Sequence, residues 1–308
     1  MLMKKIILLF SSMLLALSSC GGRQSQTSVS PVDTITTFSL PEIPVMFTEP
    51  EQRLAYVIQH FWDRIDFADT NYVHHPEITE QAWADYVNLL PQLPPAKADA
   101  TIKTLFKRLE TSPVCFHYMT DLAEQYLYHP NSPLRNEELY ISVLDAVLAS
   151  SVLTDDEKIR PQGQRTLAEK NRPGRVAEDF TYTLADGSTH TLHGLKAPYI
   201  LLCINTPGCE ACTQMISDIR SSEAIGAATK KGLRILSVYP DEEVDFWREH
   251  VSEYPSSWIA GYDDGQIITH RQLYDLRAVP TIYLLDAQKR VLLKDATIGT
   301  VNDFLSNL

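Results

Sequence analysis

Tyr199-Ile200-Leu201-Leu202-Cys203-Ile204 is a nearly unbroken apolar run. A strand reads this way when both its faces are buried, so further layers must cover it on each side. Asn205-Thr206-Pro207-Gly208 ends the run, and Cys209-Glu210-Ala211-Cys212 opens a stretch with Met215, Ile216 and Ile219 at helical spacing. The flanking pattern agrees. Phe180–Leu184 and Thr189–Leu192 form a hairpin about Asp186-Gly187, and Leu233–Tyr239 is a second buried strand. Glu242–Val251 and Ile268–Leu276 read as helices. Thr281–Leu285 and Arg290–Leu293 pair about Asp286–Lys289, and a short helix follows. Residues 173–308 therefore read as an α/β domain, a mixed central sheet flanked by helices.

Residues 48–172 have the other period. Leu54, Val57, Ile58, Phe61 and Ile65 recur every three or four positions, as do Ile102, Leu105, Phe106 and Leu109. Thr79 is placed to cap one helix, and Thr154-Asp155-Asp156-Glu157 to start another. Prolines at 76, 91, 94, 95, 113, 130 and 133 punctuate the segments. This is an all-α domain whose task the sequence does not disclose. Phe61, Trp62, Trp83 and Tyr86 could line a docking groove, but at helical spacing they read first as core. His74-His75 reads as loop.

The first residues address the chain. Lys4 and Lys5 precede an apolar run from Ile6 to Leu17, shorter than a comfortable membrane span. Leu17-Ser18-Ser19-Cys20 resembles the lipobox of bacterial lipoproteins. The resemblance implies a signal peptide over 1–19, cleavage before Cys20, and lipid on Cys20 that anchors the protein to a bilayer. Gly21-Gly22 points to the outer membrane, facing the periplasm. Residues 20–47, rich in Ser, Thr, Gln and Pro, read as a flexible tether. The net charge of −12 argues against nucleic acid as a partner. Export also changes how cysteines are read, because outside the cytosol thiols meet disulfides.

Residues 173–308 resemble the thioredoxin superfamily, most closely its TlpA/ResA-like membrane-tethered branch. The resemblance rests on Cys209-Glu210-Ala211-Cys212 between a buried strand and a helix, and on Val279-Pro280-Thr281 opening a later strand. Asp179-Phe180 and Tyr274-Asp275-Leu276 add to it. Pro280 follows Cys212 by 68 residues, which fits the branch with an extra strand–helix insert. The helical part, joined to this motif, resembles Bacteroidota DUF5106-type lipoproteins. The resemblance implies a cis peptide before Pro280, set against the sulfurs, with Val279 pairing to a client strand. A helix N-terminus offers unpaired N–H groups and the positive end of the macrodipole, and both favour thiolate. The expected chemistry is thiol–disulfide exchange: Cys209 attacks a client disulfide and Cys212 resolves the mixed disulfide, with no organic cofactor. Glu210, beside Cys209, opposes thiolate stabilisation, so a reductase is expected rather than a strong oxidant. Implied partners are disulfide-bearing proteins and a thiol electron donor of the envelope or membrane.

Two departures stand out. The family carries tryptophan before the first cysteine, where this chain has Gly208. Many thioredoxins bury an acid six residues before that cysteine, where this chain has Cys203. Cys203 reads as a small buried hydrophobe or as an auxiliary thiol, and Glu178 or Asp179 could replace the acid as proton carriers. Cys115 reads as inert core. A zinc site would need Cys209 and Cys212 plus two ligands, for which His190 and His193 are spaced, but no metal is expected. A peroxidase is suggested by Thr206, three residues before Cys209, yet Leu202 stands where those enzymes carry proline. The alternative of another class is a non-catalytic envelope scaffold, its helical domain binding a partner and its C-terminal domain a platform.

Overall fold

The structure is a computed structural model that describes residues 37–308. The signal peptide, Cys20 and most of the expected tether lie outside the described residues. Among the described residues no helix is long and apolar enough to cross a membrane.

Six helices build the first part: α1 (Pro50–Gln59), α2 (Pro76–Leu89), α3 (Pro95–Leu109), α4 (Pro113–Ala123), α5 (Glu137–Ala149) and α6 (Asp155–Ala168). Proline opens four of them, where its missing N–H costs nothing and its fixed φ suits the first turn. Thr154 caps α6 in a reciprocal box with Glu157, as the sequence suggests. Thr79 does not cap α2. That helix starts at Pro76, and the Thr79 hydroxyl donates to the Tyr72 carbonyl at 2.7 Å. The first helix is also shorter than its period, because Phe61 to Ile65 continue inward as turns. Ile58, Phe61, Trp62, Trp83 and Tyr86 are all buried in one core, so the aromatic set is packing and not a groove. Residues 37–47 are not free tether. Phe38 stacks on Phe61 at 5.0 Å, and Arg53 donates to the Phe47 carbonyl.

After α4 a single π turn, Glu124–Tyr128, delivers Tyr128 and the loop 129–136 to the second part. That part holds a seven-stranded sheet in the order β2-β1-β5-β4-β3-β6-β7. The strands are β1 (Thr181–Leu184), β2 (Thr189–Thr191), β3 (Tyr199–Ile204), β4 (Arg234–Tyr239), β5 (Ile259–Tyr262), β6 (Thr281–Asp286) and β7 (Val291–Leu293). β3 is central, parallel to β4 and antiparallel to β6. Its alternate residues enter two cores, Leu202 and Ile204 on one face and Leu201 and Cys203 on the other. The second face is covered by α7 (Glu210–Ser221), α8 (Glu223–Lys230) and α11 (Ile298–Ser306). The expected helix over 268–276 is one turn, α10 (Ile267–His270), and Gln272 just beyond it is left-handed at φ 48°. α9 (Val244–His250) precedes β5.

The two parts are stitched together. Lys294 donates to the carbonyls of Ala168 and Lys170 at 3.1 and 2.7 Å. Lys170 reaches the carbonyls of Arg271 and Gln272, and the Asn171 amide reaches that of Leu273 at 2.8 Å.

Candidate active site

β3 ends at Ile204, and the loop 205–208 turns the chain so that Cys209 becomes the N-cap of α7. Gly208 makes that turn at φ +74°, a conformation an L side chain rarely adopts. A tryptophan in this backbone conformation would be strained. The place beside it is not bare: a Cβ on Gly208 would lie 3.7 Å from the Phe246 ring of α9. Phe246 was not legible as a site residue, since only the fold brings α9 alongside this loop.

Cys209 is partly exposed, and its Sγ accepts the Cys212 N–H at 3.4 Å. It also lies 3.9 Å from the Val279 carbonyl. The Val279–Pro280 peptide is cis. Cys212 is only 2% exposed, and both cysteines are free thiols. Burial first, then the hydrogen bond to Cys209, pushes the Cys212 thiol up to about 12. Glu210 is exposed in the first turn of α7.

Cys203 lies fully buried on the sheet face that α7 covers, with Ser237 and Ile282 as strand neighbours. Burial raises its pKa, and a charge on Cys212 would raise it further. A thiol so held does not ionise readily, which favours the hydrophobe. Behind the pair is a polar network that the sequence did not reveal. The Tyr254 hydroxyl donates to Asn205 Oδ1 at 2.6 Å, and Asn205 Nδ2 donates to Ser237 Oγ at 2.7 Å. Burial raises the Tyr254 pKa, so the hydroxyl stays a donor.

The other candidates point elsewhere. Glu178 and Asp179 are both exposed; the Glu178 backbone bonds Asn171 and Tyr274, and the Asp179 carboxylate accepts the His193 N–H at 2.9 Å. His193 Nε2 bonds the Ala177 carbonyl and His190 Nε2 the Ser188 hydroxyl, so neither approaches the cysteines. Thr206 donates to Asp241 at 2.9 Å. Cys115 is buried in the helical core. Glu137, Asp275 and Asp295 have carboxylate oxygens within 4.8 Å of one another, a donor set that could hold a cation. The Arg135 guanidinium already stands among them, 3.5, 3.4 and 2.6 Å away. Arg277 adds a second clasp. It binds Asp275 and lies 3.4 Å from the centre of the Tyr128 ring.

This arrangement defines a class: a thioredoxin-like fold carrying a cysteine pair at a helix N-terminus, preceded by a helical region. The family described as a domain of unknown function (DUF5106) matches residues 16–171, and the chain belongs to that family. A thioredoxin-like protein from Bacteroides caccae is 50% identical, with 89% of this chain and 99% of that one covered and a TM-score of 0.86. The C-terminal domain of an uncharacterized protein from Bacteroides fragilis is 49% identical over 44% of this chain and 98% of its own, with a TM-score of 0.43. The thioredoxin domain of a thiol-disulfide oxidoreductase from Bacteroides vulgatus is 22% identical over 44% and 98%, with a TM-score of 0.39. No curated protein matches the chain.

Proposed function

We propose that this protein is a thiol–disulfide oxidoreductase of the cell envelope, held to the outer membrane by lipid on Cys20 and facing the periplasm. One observation carries the chemistry: a partly exposed sulfur caps a helix and accepts the N–H of the buried cysteine that follows it. Cys209, as thiolate, attacks one sulfur of a client disulfide. The client bond breaks, a mixed disulfide forms, and the departing client thiolate takes a proton. Cys212 loses its proton and attacks Cys209 Sγ, so the Cys209–Cys212 disulfide forms and the second client thiol leaves. Two electrons pass to the client, and a dithiol donor of the envelope restores the pair.

Burial of Cys212 supports a resolving role, since a protonated, shielded thiol does not compete for the incoming disulfide. Val279 offers its carbonyl beside Cys209, where an extended client segment could pair by its main chain. The Glu210 carboxylate in the first turn disfavours a highly stabilised thiolate, which supports a reductase. Cys212→Ala tests the scheme, because it should hold envelope proteins on Cys209 as mixed disulfides. A Cys209–Cys212 pair that traps nothing and exchanges with no disulfide refutes it. Equilibration with glutathione tests direction: the potential is expected near the roughly −270 mV of thioredoxin, and a value near about −120 mV reverses the assignment.

A further inference from the structure

A cavity of about 380 Å³ opens beside the cysteine pair. One wall comes from the helical region, through Pro130, Asn131 and Arg135. The facing wall is Ala211, which lies between the two cysteines, with Val279 and Pro280 next to it. We propose that the DUF5106 helical region forms half of the client site, and that this cavity receives a basic side chain flanking the cysteine of a protein client. The inference rests on the oxidoreductase reading given above.

Three features lead there. The volume lies at the small end of ligand pockets, about 300–1,000 Å³, and suits one or two side chains rather than a folded surface. Next, the walls are fixed before any client arrives. Arg277 lies on Tyr128 and donates to its carbonyl, while Arg135 bonds Asp295, so the loop 129–136 cannot swing away without breaking buried ion pairs. Finally, the charge is unequal. Three acids line the cavity, Asp218, Asp275 and Asp295, and two of them have a cation of their own. Arg277 serves Asp275 and Arg135 serves Asp295. Asp218 is left at the α7 wall with only the neutral Gln214 amide as a partner, at 2.8 Å. A client lysine or arginine complements that excess, and an acidic flank is repelled.

The test uses the reduced protein and two peptides, Ala-Lys-Cys-Lys-Ala and Ala-Glu-Cys-Glu-Ala. Each carries its cysteine as a mixed disulfide with thionitrobenzoate, whose release is read by absorbance. Hydroxyethyl disulfide is the small control. In a single turnover the lysine peptide should react with a second-order rate constant about tenfold above that of the glutamate peptide, with the gap closing at high salt. Asp218→Asn on one wall and Asn131→Lys on the other should each narrow the ratio about threefold. Equal rates for the two peptides overturn the charge preference. A ratio that Asn131→Lys leaves unmoved removes the helical wall from the site. Failure with hydroxyethyl disulfide as well refutes the oxidoreductase reading itself.

Discussion

The helical and the α/β regions bury polar atoms on different terms. In the helical core the Trp62 and Trp83 ring nitrogens and the Tyr86 hydroxyl are buried without a hydrogen-bond partner. In the α/β region Tyr254, Asn205 and Ser237 form a closed chain behind the cysteines, and the Asp263 carboxylate accepts the Ile268 N–H. The Tyr283 hydroxyl is the exception there. The helical core therefore leaves more of its buried side-chain polar atoms unpaired than the α/β core does. A chemical centre needs side chains held in direction as well as in place, and the paired network beside the cysteines supplies that. The helical region contributes its directed polar groups at the seam, through Arg135 and the Tyr128 carbonyl.

The strongest way to break this comparison is to show that chemistry does not belong to one region. Cys209→Ser should abolish disulfide exchange while leaving the urea midpoint unchanged, since its sulfur is partly exposed and caps through a single contact. Residual turnover in that variant would place the reactive group elsewhere. A smaller loss is expected at the seam. Arg135→Ala takes the cation from Asp295, while Glu137 keeps Lys294 at 2.7 Å and Asp275 keeps Arg277, and breaking such a buried pair costs about 3–5 kcal/mol. Unfolding in urea should show it. A change under about 1 kcal/mol would mean that the seam is wet and its ion pairs weak.

The seam also sets a pH dependence. Burial raises the Asp295 carboxyl to about 6, although Arg135 pulls it down. A raised acid binds its proton more tightly in the folded state. Its effect is most favourable below the unfolded value near 3.8 and is lost as pH rises through about 6. The stability difference between the wild type and Asp295→Asn should therefore shift against the wild type between about pH 4 and pH 6, then level off. A difference that is flat across that window would show Asp295 to be ionised throughout. Asp275 runs the other way: Arg277 holds it below the usual range despite its burial, so its contribution is lost only in stronger acid.

How much of this could be read beforehand follows from range. β3, the opening of α7 and the β6–β7 hairpin are written in local pattern, and the structure has them at Tyr199–Ile204, Glu210 and Thr281–Leu293. Thr154 and Glu157 are three apart and declare their cap. β5 escaped because Ile259-Ala260-Gly261-Tyr262 is short and has no clear alternation. Its identity comes from position, wedged between β1 and β4. Gly261 is required there, since a Cβ would meet the Tyr182 ring at 2.9 Å. α8 escaped likewise: Glu223–Lys230 is two turns, with Gly226 inside. The seam was illegible for a stronger reason. Arg135 finds Asp275 and Asp295 across 140 and 160 residues of chain, and spacing along a sequence carries no trace of such a pairing. The dithiol was visible because its two cysteines are local to each other; the cavity beside it, lined from both regions, was not.

The smallest effect is the most direct comparison of the two cores. Tyr254→Phe removes a hydroxyl that donates to Asn205 at 2.6 Å and leaves that buried oxygen without its partner. The expected cost is about 1–2 kcal/mol in urea unfolding. Tyr86→Phe makes the same chemical change in the helical core, where the hydroxyl is buried and bonds nothing. Removing a desolvated group that has no partner should cost nothing, and a gain of up to about 1 kcal/mol is expected. If both variants lose stability alike, Tyr86 has a partner such as an internal water, and the contrast between the two cores in buried unpaired groups fails. If only Tyr254→Phe is costly, slower release of mixed-disulfide client in that variant would tie the network to the attack by Cys212, whose charge acts on Tyr254.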